Sequence, residues 1–182
     1  MMRRALIVAA TAALAGCAHS GTSLGKVHPG PPAIIATTQL LGPNGELRGT
    51  ATLTQLTAAT QIRARVEGIA PGTYAIHLHS TGKCEGPKFA SAGGHFNPTM
   101  THHGKDNPMG PHLGDLPNIV VGQGGTGSID FTVAGLALIG GAAPLLDADG
   151  AAVIVHAGPD DYKTDPSGNS GDRIACGALA AR

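Results

Sequence analysis

The stretch Gly72-Thr73-Tyr74-Ala75-Ile76-His77-Leu78-His79 alternates in its second half and reads as one β-strand. Residues two apart on a strand share a face, so His77 and His79 project together while Ile76 and Leu78 turn toward a core. Two imidazoles then face one point. Just upstream, Thr60 to Gly68 alternates more cleanly, with Ile62, Ala64 and Val66 on one side and Arg63, Arg65 and Glu67 on the other. One face is dry and one wet, as in an antiparallel sheet.

Working outward, Ala33 to Leu41 and Arg48 to Leu56 are earlier strand candidates, separated by the turn Gly42-Pro43-Asn44-Gly45. Later candidates are Asn118 to Val121, Gly127 to Val133, Ala151 to His156 and a last strand starting near Arg173. With 28 Gly, 13 Pro, no Trp and 13% charged residues, the chain is built of short apolar runs and turns. Residues 33–182 are therefore expected to form one all-β domain, an eight-stranded Greek-key sandwich or flattened barrel with two long functional loops. There is no helical period of useful length and no internal repeat. With a formal net charge of zero, 3% aromatic residues and no basic cluster, nothing in the sequence suggests nucleic acid as a partner.

The histidines need a separate explanation. Gly93-Gly94-His95-Phe96-Asn97-Pro98, then His103, then His112-Leu113-Gly114-Asp115 lie in a Gly- and Pro-rich segment that is neither strand nor helix, so these side chains have no obvious packing role. His156 ends a downstream strand. Imidazole suits copper and zinc, and a carboxylate beside three histidines suits tetrahedral zinc. Two ions with four ligands each need eight donor contacts; seven residues supply eight if one imidazole binds through both nitrogens. The spacing does not say which histidine bridges.

These residues together resemble the copper/zinc superoxide dismutases over roughly residues 33 to 180: HxH at His77 and His79, GGHFNP from Gly93, histidines eight and seventeen positions after His95, HxGD from His112, VIVHAGPDD from Val153 and GNSGDRIACG from Gly168. The resemblance implies copper at His77, His79, His95 and His156, zinc at His95, His103, His112 and Asp115, and His95 as the bridge. His102, beside His103, is expected to face solvent. The interval from Cys84 to His95 is longer, and the loop after Asp160 shorter, than in the family's animal members, which points to a bacterial exported type.

Residues 1–16 have the anatomy of an export signal: Arg3 and Arg4, an apolar run from Ala5 to Leu14, and small residues before Cys17. Leu14-Ala15-Gly16-Cys17 resembles a lipobox, which would make Cys17 the lipidated first residue; Ala13-Leu14-Ala15 also fits a soluble A-x-A cleavage site. Residues 17–32 read as a lipidated N-terminus and flexible tether, with His19 and His28 as solvated bystanders. The expected location is the periplasm or cell envelope, with a lipid anchor in the membrane. Of three cysteines, lipidation of Cys17 leaves Cys84 and Cys176, which in an oxidising compartment are expected to pair like the family's disulfide.

The resemblance also implies roles near the copper. Arg173 matches the family's active-site arginine, a permanent cation that docks a small anion, and Asp160 matches the carboxylate linking a copper-side to a zinc-side imidazole. Lys163 and Lys105 are further candidates for attracting superoxide. The implied activity converts superoxide to dioxygen and hydrogen peroxide, with His95 taking up a proton and no organic cofactor. The alternative is a copper-buffering or copper-delivery lipoprotein on the same fold. A homodimer is compatible with either.

Overall fold

The strands β1 (Ile35–Leu41), β2 (Leu47–Gln55) and β3 (Ala59–Glu67) form an antiparallel meander in which Ala51 faces Ala64 and Leu53 faces Ile62. The computed structural model describes residues 33–180. The segments expected to be an export signal and a tether, with Cys17, His19 and His28, lie outside the described residues. After β3 come β4 (Gly72–Tyr74), β5 (Ile76–His79), β6 (Ile119–Val121), β7 (Thr126–Ala134), β8 (Ala151–His156) and β9 (Arg173–Leu179).

The sheet order is β4-β6-β7-β3-β2-β1-β9-β8-β5, with antiparallel pairing throughout. Its two ends, β4 and β5, are consecutive in the chain, so the sheet curls into a nearly closed barrel. The sequence expectation of one strand from Gly72 to His79, and hence of eight strands, is corrected to nine among the described residues. The chain changes partner at Ala75: β4 pairs with β6 and β5 with β8. Ala75 itself donates its N–H to the Gly158 carbonyl at 2.8 Å and accepts the His156 N–H at 2.9 Å. A side-chain pattern with period two continues across such a switch, so alternation alone does not reveal it.

The barrel interior is filled by Leu40, Leu53, Ile62, Val66, Ile76, Leu78, Ile119, Val153, Val155 and Leu179, all fully or almost fully buried. Each buried side chain of this size contributes about 1.5–3 kcal/mol. The loop between β7 and β8 plugs one part of the core with Leu136, Leu138, Leu145 and Leu146. Gln55 anchors that loop: its Oε1 accepts the N–H groups of Leu138 and Ile139.

All six residues of β8 are buried, which means that the outer face of this strand is covered too. Val153 and Val155 point inward, while Ala152 and Ile154 join Phe89, Ala92 and Cys176 in a second, smaller cluster. In register, His77 lies opposite Ile154 and His79 opposite Ala152. The two histidines therefore stand on the outer face of the barrel, under the long loop.

Candidate metal centre

Loop residues reach this outer face because β5 has a free edge. The Leu78 N–H donates to the Gly114 carbonyl at 2.9 Å, the Phe96 N–H donates to the Leu78 carbonyl at 2.8 Å, and the Gly114 N–H donates to the Phe96 carbonyl at 2.8 Å. His79 and His95 form one isolated bridge, and His77 and Asp115 another. A Cβ on Gly114 would come within 2.9 Å of the Phe96 nitrogen, so this junction requires glycine. The disulfide Cys84–Cys176, with Cα atoms 5.7 Å apart, ties the start of the same loop to β9. In a chain-entropy account, closing a loop of this length contributes on the order of 4–5 kcal/mol.

His77, His79, His95 and His156 come together with one ring nitrogen each inside a 4.8 Å cluster. Their tautomers follow from their partners. His79 Nδ1 donates to the Gly93 carbonyl at 2.9 Å and His156 Nδ1 to the Gly171 carbonyl at 3.2 Å; a carbonyl can only accept, so Nε2 of each ring carries the lone pair. His77 Nε2 donates to Asp160 Oδ2 at 2.9 Å, which frees Nδ1. Among the described residues, four buried ring nitrogens are left without a partner: His77 Nδ1, His79 Nε2, His95 Nε2 and His156 Nε2. A buried polar atom without a partner costs about 1–3 kcal/mol. Four that converge are an arrangement that a cation bound by imidazole relieves.

On the other side of the His95 ring, Nδ1 of His95, His103 and His112 lie 2.9, 3.0 and 3.2 Å from Asp115 Oδ1. His77 also falls within ligand distance of His95, His103 and Asp115, but its Nε2 is engaged by Asp160 and its free atom belongs to the first cluster. His112 Nδ1 is thus the better third donor here. Three Nδ1 atoms and one carboxylate oxygen suit tetrahedral zinc, and the all-imidazole set suits copper. The His95 ring stands between the two sets, with one nitrogen on each side.

Asp160 braces both sides. Its Oδ1 accepts from His103 Nε2 at 2.8 Å and from the Tyr162 N–H at 2.6 Å, and its backbone is fixed by Asn118. Gly168, at φ 65°, packs against this pair; a Cβ there would overlap Asp160 Oδ1 and come within 2.7 Å of His103 Nε2. Fixing the outer nitrogen of a ring fixes the direction of its inner lone pair.

The electrostatics separate the two sides. Burial pushes the imidazolium forms of His79, His156 and His95 down to about 2, 3 and 4, and pushes His77 down as well. These rings are neutral at pH 7, as metal ligands must be. Burial opposes ionisation of Asp115 and Asp160 too, but hydrogen bonds from His103, His112 and His95 hold Asp115 well below the usual carboxylate range, and those from His103, His77 and the Tyr162 N–H do the same for Asp160. For His103, hydrogen bonds to Asp115 and Asp160 override burial and raise it to about 9.

Arg173 lines a cleft of about 790 Å³ together with Lys88, Gly93, Gly94 and Asp172. Its Nη1 donates to the Phe89 carbonyl and its Nη2 to the Gly93 carbonyl, both at 2.6 Å. Gly93 O also accepts from His79, so the guanidinium and the His79 ring share one acceptor. The sequence had offered Lys105 and Lys163 as companions to Arg173. Lys105 instead pairs with Asp106 at 2.9 Å, lies over the Tyr162 ring and lines a separate cavity of about 610 Å³ behind His112 and Asp115. Lys88, exposed on the cleft wall, was missed; only its place five residues before Gly93, on the loop leading to the GGH motif, could have pointed to it.

Residues 47–179 match the family model described as copper/zinc superoxide dismutase (SODC). Cu-Zn superoxide dismutase 2 of Aquifex aeolicus (strain VF5) is 41% identical over 143 residues, covering 78% of this chain and 84% of that protein. The Cu-Zn superoxide dismutase of Caulobacter vibrioides is 40% identical over 147 residues, covering 79% and 84%. Among solved structures, a SOD-like protein from Bacillus subtilis superposes with a TM-score of 0.75 at 40% identity, covering 79% of this chain and 97% of that one.

Proposed function

The chain belongs to the copper/zinc superoxide dismutase family, and from this we propose that it converts two superoxide anions and two protons into dioxygen and hydrogen peroxide at the histidine cluster. The observation that carries the reading is the convergence of four unpartnered, buried imidazole nitrogens beside a cationic cleft. His77, His79, His95 and His156 would hold copper, and His95, His103, His112 and Asp115 would hold zinc. When bound, copper supplies the one-electron oxidation and reduction, whereas zinc has no redox chemistry.

The chain's own residues do the rest. Arg173 docks a small anion in the cleft it lines, where its two hydrogen bonds to carbonyls fix the direction of the charge. His95 can take and return a proton at Nε2 because Nδ1 stays anchored beside Asp115. His79 and His156 keep their lone pairs inward through Gly93 and Gly171. Asp160 holds His77 and His103 in one frame.

Export to the cell envelope with a lipid on Cys17 is part of the same proposal. Its support is the charged and apolar sequence before Cys17 together with the Cys84–Cys176 disulfide, a bond that persists in oxidising compartments. The test of the whole is metal analysis of the purified chain alongside superoxide consumption by pulse radiolysis. One copper and one zinc per chain with rapid consumption supports the proposal. A fully metallated chain that leaves superoxide untouched overturns it in favour of copper buffering.

A further inference from the structure

Seven histidines lie among the described residues, and six of their rings hydrogen-bond a carboxylate or a carbonyl. His102 is the seventh. It is exposed, whereas the adjacent His103 is fully buried between Asp115 and Asp160. Next to it are two methionines. The chain has four; two are Met1 and Met2, and the others, Met100 and Met109, sit on this loop with 86% and 61% of their surface exposed.

The loop's backbone joins two of these residues, and the third is their close neighbour in sequence. The His102 N–H donates to the Met109 carbonyl at 2.9 Å, so residues 102 and 109 face each other across the loop, and Met100 lies two positions before His102. The frame is firm: Asn97 grips Thr101 through both its N–H and its carbonyl, Thr101 Oγ1 donates to the Pro111 carbonyl at 2.7 Å, and Asn107 Oδ1 accepts the Met109 N–H. Side chains this exposed gain little by being apolar. What distinguishes a thioether from other side chains at such a position is that it is a soft donor.

We propose that Met100, His102 and Met109 form a surface site for monovalent copper. Cu(I) is soft and accepts three donors of this kind, and thioether sulfur has no proton to lose before it binds. The three side chains offer two thioethers and one imidazole and no carboxylate, a donor set softer than the one harder ions prefer. The site lies on the outer surface of the loop whose inner surface carries His103. It shares no residue with the buried cluster, so one copper can rest here while both inner positions are full.

The test uses the full chain already carrying its complement of copper and zinc, titrated with Cu(I) under anaerobic conditions against a chromogenic Cu(I) chelator. The wild-type chain binds one further equivalent, with sulfur neighbours in its X-ray absorption spectrum. The M100L/M109L variant loses at least the ~10-fold in affinity that removal of a supporting metal partner gives, and H102Q is weakened as well. Leucine keeps the size and apolarity of methionine, and unchanged copper and zinc in the buried cluster shows that the variants are folded. Absence of the extra equivalent in the wild type, equal binding by the double variant, or displacement by equimolar Zn(II) overturns the site. The readout is stoichiometry at the surface, so it does not depend on whether the chain consumes superoxide.

Discussion

Asp160 accepts a hydrogen bond from His77 at 2.9 Å across 83 residues of sequence, with both side chains fully buried. Since its other oxygen accepts from His103, removing the carboxylate frees one ring on each side of the cluster. Asp160→Ala should therefore lower affinity for copper and for zinc together, each by about 10- to 100-fold. Competition titrations against chelators of known affinity measure both. Loss confined to one metal would show that the two sides are not braced in common.

The position of His95 predicts an asymmetry between two ligand variants. His95→Ala removes a donor from each side and should weaken both metals, whereas His156→Ala should release copper and spare zinc. Elemental analysis after dialysis against a mild chelator reads the difference. The same metal loss in both variants would move the bridge away from His95.

If His103 holds zinc, as proposed, it makes zinc binding depend on pH. With its pKa raised to about 9 by Asp115 and Asp160 once burial has been outweighed, this ring is protonated in the metal-free chain at neutral pH. Because the folded value lies above the ordinary imidazole value of 6.5, its contribution to stability is fully present below about pH 6.5 and is lost as pH rises through about 9. Zinc needs the lone pair and must expel the proton, so apparent zinc affinity should rise by up to about tenfold per pH unit as far as about pH 9 and then level off. Calorimetry at one neutral pH in buffers of different ionisation enthalpy counts the protons released. A count near zero contradicts the assignment.

Lys88 and Arg173 can be told apart. Lys88 touches the cleft only as a wall, so Lys88→Glu should leave metal content normal, reduce the bimolecular rate and flatten its fall with added salt, over a screening length of about 8–10 Å. Arg173→Glu should lower the rate more steeply and also disturb copper affinity, because Arg173 shares the Gly93 carbonyl with His79. Pulse radiolysis across a salt series, with copper measured on the same samples, separates the two. An unchanged rate in Arg173→Glu with full copper would remove Arg173 as the anion guide.

A Cys17→Ser variant should move from the membrane to the soluble part of the cell-envelope fraction. Mass spectrometry of the wild-type chain checks the premise, and an unlipidated, soluble wild type would favour cleavage after Ala15.

The local pattern of the sequence carried much of this. Alternation at Ile62, Ala64 and Val66 marked β3, and the i, i+2 spacing of His77 and His79 put two imidazoles on one face, since strand geometry fixes side-chain direction from one residue to the next. Seven donors could serve two ions if one ring bound both, and the spacing did not say which ring that would be. That choice rests on distances between residues far apart in the chain. Asp115 reaches the His95 ring from one side and His77, His79 and His156 from the other, only because the free edge of β5 captures two pieces of the loop. The switch of partner at Ala75 was invisible for a similar reason: side chains keep their alternation while the hydrogen bonds pass from β6 to β8. Lys88, rather than Lys105, stands beside Arg173 because the loop from Cys84 to His95 folds over β8 and β9, whereas Lys105 turns to Asp106 and Tyr162. Residue type and spacing set which groups could coordinate or attract; the pairing of distant segments set where each of them points.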